Sequence, residues 1–493
     1  MIYNFNLGIG WASSGVEYAQ VYRARMFRNI NAEAKFVFTD MFPQENIEHM
    51  TKNIGFEDSE VIWLYTFFTD FKTAPVTYTL SELEKTFTNQ EYTKKREGKI
   101  CRYVFNGSNN FYTAYMVNDQ DDYVHRVEMV SGGCLIRKDY FTYGRVYSEY
   151  YAPLDNAAHL YHRRFFNVDG SVAYEEMIDD DRVMYKFKDK MLCSKEEFVG
   201  HMVSKLNLTR DDIVIIDRTT DIGQAIMMNC KPAKVGIIVH ADHFSEKDTN
   251  DDYILWNNYY EYDFNMHKHV DFYVCATQAQ SDLMKAQFEK YYSVTPNMYT
   301  IPVGSLPELK YPKEGRKPFS LITASRLASE KHVDWICKAV IQARSEVPEL
   351  SLDIYGVGGE REKLETIIRE NNAQDYIHLM GQHDLSEVYQ NYEAYIAGST
   401  SEGFGLTLME AVGGGLPIIG FDVRYGNPTF IRDGENGYLI PLPEEDKDRV
   451  ETLRKGIVDL FKQDLEKCHS VSYLVAKDFL TSNVQEKWRE AVC

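Results

Sequence analysis

Hydrophobic and polar positions fall into three textures along the chain. Over residues 1–44 an apolar run at 2–7 meets the glycine-rich stretch Gly8-Ile9-Gly10-Trp11-Ala12-Ser13-Ser14-Gly15. Apolar residues at helical spacing then run to about Asn29, and a second apolar run occupies 34–39. This is strand, loop, helix, strand: the opening of an α/β unit. From 45 to 195 that alternation gives way to short Tyr-, Phe- and Val-rich runs at 61–68, 100–105, 111–117, 123–130, 159–166 and 183–187. The pairs Asn106-Gly107, Gly132-Gly133 and Asp169-Gly170 punctuate them. Such lengths and turns predict an antiparallel meander inserted in the α/β pattern. From 196 the alternation resumes, with a helix over 195–206, strands at 212–217, 234–240 and 270–277, and a helix to Tyr292. A Pro-, Lys- and Glu-rich stretch at 307–317 reads as a linker. Beyond it, strands at 318–324, 352–355, 377–380, 394–397 and 417–421 alternate with helices.

Strands alternating with helices imply parallel sheets joined by right-handed crossovers. The expected fold class is therefore α/β, with two Rossmann-like domains facing a cleft where ligands bind at the carboxyl ends of the strands. Residues 1–44 and 196–306 form the first and 307–493 the second, its last helix crossing back. Residues 45–195 are the inserted antiparallel β-meander domain. An exposed sheet edge there can take a partner protein or an extended peptide, or the insert can brace the first domain.

Composition narrows the function classes. Of 493 residues, 44% are hydrophobic and 14% aromatic, enough for real cores and against global disorder. Lys plus Arg number 54 against 74 Asp plus Glu, and the formal charge of −20 argues against a general nucleic-acid or anionic-membrane binder. No window approaches the apolar length of a membrane span, and the N-terminal stretch lacks the basic region of a secretory signal. The eight cysteines are scattered without a CxxC pair, as expected of free thiols in a reducing compartment. A cytoplasmic protein is expected, with any membrane association peripheral and through partners.

The densest chemistry lies in Ser399-Thr-Ser-Glu402-Gly403-Phe404-Gly405-Leu406-Thr-Leu-Met-Glu410. A strand end, a tight glycine turn and a fresh helix N-terminus offer backbone N–H groups to a phosphate. Glu402 can accept from hexose hydroxyls and Glu410, two turns on, from ribose hydroxyls; the plain alternative is a helix cap and a solvated face. Upstream, Arg326 and Lys331 stand five apart after a strand and could together neutralise a leaving diphosphate without a metal. Such a pair is common on surfaces; its place ahead of the Glu402–Glu410 segment gives it weight. Gly358, in Gly356-Val-Gly358-Gly359, is either a uridine contact or part of a plain turn, and Gln382 with His383 either edges a base or forms an ordinary loop. The dinucleotide pattern GxGxxG is not met, because Gly8-x-Gly10 is followed by Trp11, Ala12 and Ser13, which argues against a nicotinamide cofactor. His240 ends an apolar strand at its carboxyl edge, either as a structural or a functional histidine. No carboxylate is obviously placed as an inverting base, Asp242 being the nearest. His240-Ala-Asp242-His243 is the only dense ligand cluster, and no metal site is predicted there.

The tandem α/β units, Arg326 with Lys331, and the Glu402–Glu410 motif resemble the retaining, GT-B fold glycosyltransferases of family 4 over residues 1–44 and 196–493. The meander, with the segments Asn6 to Gln20 and Asp252 to Tyr260, is similar along nearly the whole chain to a narrower group. These are the catalytic subunits of the bacterial transferases that O-glycosylate serine-rich repeat adhesins before export by the accessory Sec system. The resemblance implies transfer of N-acetylglucosamine from UDP-GlcNAc to Ser/Thr of the adhesin, no cofactor beyond the donor, and a related non-catalytic partner subunit. It implies that Gly15 lets the first loop approach the diphosphate, with Ser14 standing where many members have a second glycine. His240 would contact the transferring sugar, and Arg326 and Lys331 the diphosphate. Glu402, with the amides of Gly403, Phe404, Gly405 and Leu406, would hold sugar and phosphate, and Glu410 the ribose. With no clear protein base, the departing phosphate oxygen can take the acceptor proton, and configuration is retained. Glucose as donor sugar, a teichoic acid acceptor, a non-enzymatic binding subunit and a sugar-nucleotide epimerase remain as alternatives. The binding subunit is disfavoured by the presence of Arg326, Lys331 and Glu402.

Overall fold

The computed structural model describes residues 1–9, 15–43, 45–88 and 90–493. Ser14 and the rest of 10–14 lie outside the described residues. The chain divides into two compact units, one of residues 1–24, 32–238 and 258–271 and one of 25–31, 239–257 and 272–493.

In the first unit, parallel strands lie in the order Lys234–Val239, Ile213–Ile216, Ile2–Asn6, Ala34–Phe38 and Val61–Trp63. Ile213–Ile216 is buried throughout, the pattern of a strand covered on both faces. The helix Gly15–Asn29 is tied back to the strand ends by a buried polar chain. Asn6 donates to Glu17 at 3.3 Å and to Gln20 at 3.0 Å, Gln20 donates to Asp217 at 2.7 Å, and Arg23 pairs with the same aspartate.

One expectation needs correction here. The run at 61–68 is not a meander strand. Val61–Trp63 adds to the parallel sheet beside Ala34–Phe38, and the chain turns at once into the short helix Leu64–Phe67. An apolar run of that length serves either structure; its pairing partner decided. The meander proper has ten antiparallel strands in chain order, from Tyr92–Glu97 to Met191–Leu192. Burial alternates strictly in Ile100–Phe105, and Leu80, Leu83 and Phe87 cover the apolar face at Tyr103, Val127 and Phe141. Tyr92–Glu97 carries Lys94, Lys95 and Arg96 on its exposed edge, a charge pattern that discourages edge-to-edge aggregation. Tyr92–Glu97, Cys134–Phe141, Arg145–Leu154 and Val172–Asp179 lie outside the expected runs, because charged residues interrupt their apolar positions. Their charges meet across the sheet. Arg163 lies 2.9 Å from both Glu149 and Glu176, and Tyr140 and Tyr151 donate to Glu149 at 2.8 and 2.6 Å.

The second unit contains a six-stranded parallel sheet in the order Ile377–Gly381, Ser351–Tyr355, Ser320–Ala324, Ala394–Ile396, Ile418–Phe421, Gly437–Ile440. In chain order this is 3-2-1-4-5-6, the doubly wound Rossmann topology, which reverses direction between Ser320–Ala324 and Ala394–Ile396. Helices Val333–Ala343, Arg361–Glu370 and Asp446–Leu460 contribute to one core and Leu406–Gly413 to the other, while Leu465–Ala476 reaches both, through Cys468 and through Val475. Trp488 of the final helix, Thr481–Val492, meets Phe27 edge-on at 5.4 Å. All eight cysteines are free thiols, and among the described residues no helix is long and apolar enough to cross a membrane.

Candidate functional site

The reversal of strand order places two loops side by side at the carboxyl ends of Ser320–Ala324 and Ala394–Ile396, the position where doubly wound sheets bind ligands. The first loop runs from Ser325 to Lys331. Its backbone is laid against the turn after Ser351–Tyr355: Ser325 donates to the Tyr355 carbonyl at 3.1 Å, Leu327 to Val357 at 3.0 Å, and Glu360 to Leu327 at 3.0 Å. The glycine cluster has its explanation in this approach. A Cβ on Gly356 would stand 1.9 Å from the Ser325 carbonyl oxygen, and one on Gly358 2.4 Å from that of Leu327. Gly356 and Gly358 thus shape the loop that carries Arg326, whatever else they touch.

The second loop leaves Ala394–Ile396 through Gly398, where a Cβ would stand 2.8 Å from the His332 carbonyl oxygen, and reaches Glu402. There Lys331 Nζ donates to Glu402 Oε2 at 2.7 Å, each side chain 20% exposed. One bond leaves two ammonium protons and most of the carboxylate lone pairs available, so the pair can hold a ligand between charges of both signs. Arg326 stands apart from that pair: its side chain is 80% exposed and its guanidinium lies 3.3 Å from Glu330.

Past Glu402 the chain enters Leu406–Gly413 through Gly405, whose φ of +88° belongs to glycine and whose Cβ would stand 2.6 Å from Leu408 Cδ1. No side chain caps this helix. The amides of Leu406 and its neighbours therefore present the positive end of the helix at the same place as Glu402. Tyr395 fastens the helix to the neighbouring strand, donating to the Ala324 carbonyl at 3.0 Å and lying 3.1 Å from the Thr407 hydroxyl. Glu410 sits one face further in, with its pKa raised by burial and with Tyr389 donating to it at 3.1 Å.

His240 and the residues after it belong to the second unit, and a Cβ on Gly403 would come 3.8 Å from the His240 carbonyl oxygen. Asp242 accepts from the Tyr425 phenol at 2.6 Å, and His243 lies 2.6 Å from Gln287 and 3.1 Å from the same phenol. Burial lowers the pKa of His243 to about 4, so its ring is neutral. Two side chains of the dense His/Asp cluster are thus engaged elsewhere. Among the described residues no group of three or more His, Cys, Asp or Glu could hold a metal ion.

The structure therefore brings Lys331, Glu402, Gly403, Phe404, Gly405, Leu406 and His240 to one neighbourhood, with Glu410 on the same helix. Gln382 and His383 carry exposed side chains at the end of Ile377–Gly381, two strands from Ser320–Ala324, and His383 Nε2 lies 2.8 Å from the Met380 carbonyl. Gly15, in the first unit, is the exposed first residue of its helix. Sequence reasoning missed Tyr389, Tyr395 and Tyr425. Each holds a group at least 12 residues away in the chain, and a lone tyrosine carries no local signal.

Comparison with known proteins identifies the family and the fold. Residues 309–473 match the model of glycosyl transferases group 1, and residues 93–189 that of the GtfA extended beta-sheet domain. The UDP-N-acetylglucosamine–peptide N-acetylglucosaminyltransferase GtfA subunit of Streptococcus gordonii is 53% identical over 493 residues, covering 99% of this chain and 97% of that one. The crystal structure of a GtfA/B complex contains a chain of 52% identity and TM-score 0.96, covering 100% of this chain and 99% of that one. The pneumococcal O-GlcNAc transferase GtfA, solved in complex with UDP and GlcNAc, is 50% identical with a TM-score of 0.87, covering 100% of this chain and 98% of that one.

Proposed function

Since the chain belongs to the family of GtfA subunits of UDP-N-acetylglucosamine–peptide N-acetylglucosaminyltransferases, a GT-B glycosyltransferase family, we propose that it moves N-acetylglucosamine from UDP-GlcNAc to Ser/Thr hydroxyls with the Lys331–Glu402 pair at the reacting centre. The observation that carries this reading is that pairing, 2.7 Å across the strand-order reversal, beside an uncapped helix N-terminus.

In the reaction, the bond between the anomeric carbon and the β-phosphate oxygen breaks and a bond from that carbon to the acceptor oxygen forms. The acceptor proton passes to the departing phosphate oxygen, on the same face of the sugar, which retains configuration. Lys331, the helix amides at Gly405 and Leu406, and Arg326 once released from Glu330 take up the charge that develops on the diphosphate. Glu402 accepts from hexose hydroxyls, His240 contacts the same sugar, and Glu410 accepts from the ribose. Gly358, Gln382 and His383 flank the uridine. The reaction drawn this way uses no metal and no resident cofactor.

The acceptor we propose is a serine-rich repeat adhesin before export, handled in the cytoplasm together with a GtfB-type non-catalytic subunit. Any membrane association is peripheral. The test is incubation of the chain and that subunit with a panel of UDP-sugars and either a Ser/Thr-rich peptide or teichoic acid. Mass spectrometry is expected to show the mass of N-acetylhexosamine on the peptide with UDP-GlcNAc. Glu402→Gln and Arg326→Ala should abolish it while circular dichroism is unchanged. A hexose on the peptide, or sugar on the polymer alone, overturns the donor or the acceptor respectively.

A further inference from the structure

No motif marks Arg424 and Tyr425, yet after Ile418–Phe421 they tie together two parts of the site that stand about 160 residues apart in the chain. Their main chain holds Glu402. The Glu402 amide donates to the Arg424 carbonyl at 3.1 Å, and the amides of Tyr425 and Gly426 donate to the Glu402 carbonyl at 2.6 and 2.7 Å. A Cβ on Gly426 would fall 2.3 Å from the Phe404 carbonyl oxygen, so this clamp is closed on the turn after Glu402 as well.

Their side chains hold the segment that begins at His240. The Tyr425 phenol is buried, donates to Asp242 Oδ1 at 2.6 Å and lies 3.1 Å from His243 Nδ1. Arg424 pairs with Glu246 at 2.9 Å, its guanidinium 4.9 Å above the Phe244 ring. The far side of the segment is anchored independently. Gln280 donates to the Ala241 carbonyl at 2.8 Å, Asn257 to the Asp242 carbonyl at 2.9 Å, and His243 lies 2.6 Å from Gln287. A short phenol-to-carboxylate bond is among the stronger kinds, because the acceptor is charged. It is also the one bond from the residue clamping the Glu402 main chain to the carboxylate two residues past His240.

We propose that Tyr425 is a positioning residue for glycosyl transfer: through Asp242 it sets where His240 stands relative to Glu402, and so the geometry of the sugar between them. This rests on the reading of His240 and Glu402 as sugar-contacting residues.

The test is steady-state transfer by the full chain with its GtfB-type partner and UDP-GlcNAc. Tyr425→Phe, which removes one oxygen, is expected to lower kcat by about 10- to 100-fold, on the scale of a misplacement of about 1 Å. The donor KM should stay within about two-fold, because Lys331 and Glu410 are untouched. Asp242→Ala should do the same, and the double variant should be no slower than either single one. Asp242→Asn, which keeps an acceptor oxygen, should retain most of the rate. Additive losses in the double variant, or a normal kcat in Tyr425→Phe, overturn the proposal. If Tyr425→Phe does not fold, Asp242→Ala against Asp242→Asn decides alone, and equal rates for the two overturn it. His240→Ala and Glu402→Gln separate the two levels. Should both retain near-normal transfer, the site reading itself fails and the role of Tyr425 with it. Should both lose it while Tyr425→Phe does not, only the present inference fails.

Discussion

The molecule holds two carboxylate–cation clusters of similar chemistry and opposite use. In the ten-stranded sheet, Arg163 lies between Glu149 and Glu176, both carboxylates 2% exposed, with tyrosine hydroxyls on Glu149. Burial opposes the charge on Arg163, but the two glutamates outweigh it and hold its pKa above the ordinary guanidinium value. The ion pairs join neighbouring strands, and little capacity is left for anything from outside. In the doubly wound sheet, Lys331 and Glu402 meet at loop ends, are ten times more exposed than those glutamates, and share a single bond. The first cluster fixes strand register; the second stays open to a ligand. Buried charge inside a sheet is committed to the fold, whereas the same charge at the carboxyl edge of a parallel sheet is free for chemistry.

That contrast can be broken by experiment, beginning where the effect is largest. Arg163→Met leaves two carboxylates buried without their cation, and denaturant unfolding should show a loss of about 3–5 kcal/mol. Transfer by the fraction that remains folded should be near normal. Lys331→Met should reverse the pattern, with kcat lower by about 100- to 1,000-fold and the unfolding midpoint hardly moved. A large stability loss with little rate loss at Lys331 would erase the distinction between the two clusters.

His243 sharpens the comparison, since it belongs to the site region yet is held as tightly as the residues of the meander. Its folded pKa of about 4 lies below the ordinary 6.5, so the folded state binds fewer protons than the unfolded one. Its contribution is therefore constant above pH 6.5 and is lost as the pH falls through that window. The loss should reach about 3 kcal/mol near pH 4. Unfolding free energies of the wild type and His243→Gln, measured from pH 7 to 4, should differ in slope over that range; parallel curves would refute it. The smallest effect is expected at Glu410, where Glu410→Gln should raise the donor KM by about 10-fold with kcat nearly kept, as for the loss of one charged hydrogen bond.

Local patterns made much of this molecule legible. Parallel strands covered on both faces appear as plain apolar runs, so Ser320–Ala324 and Ile418–Phe421 stand out without any partner in view. Gly405 marks a turn whose positive φ belongs to glycine, and Arg326, Lys331 and Glu410 fall at fixed offsets from strand and helix ends. The charged strands of the meander were opaque. Lys138, Asp139 and Glu149 look like loop residues until the neighbouring strands supply their counter-charges.

What the sequence by itself determined, then, is the order of elements, the acidic surface and the residue types at the carboxyl ends. Periodicity and turn chemistry act over a few residues and need no distant partner. The tertiary structure alone decided that 61–68 closes the parallel sheet rather than opening the meander. It also decided that Lys331 rather than Arg326 meets Glu402, and that Tyr425 and Asp242 join the site from opposite parts of the chain. Those outcomes are set by packing between segments far apart in sequence, where no local spacing carries the information.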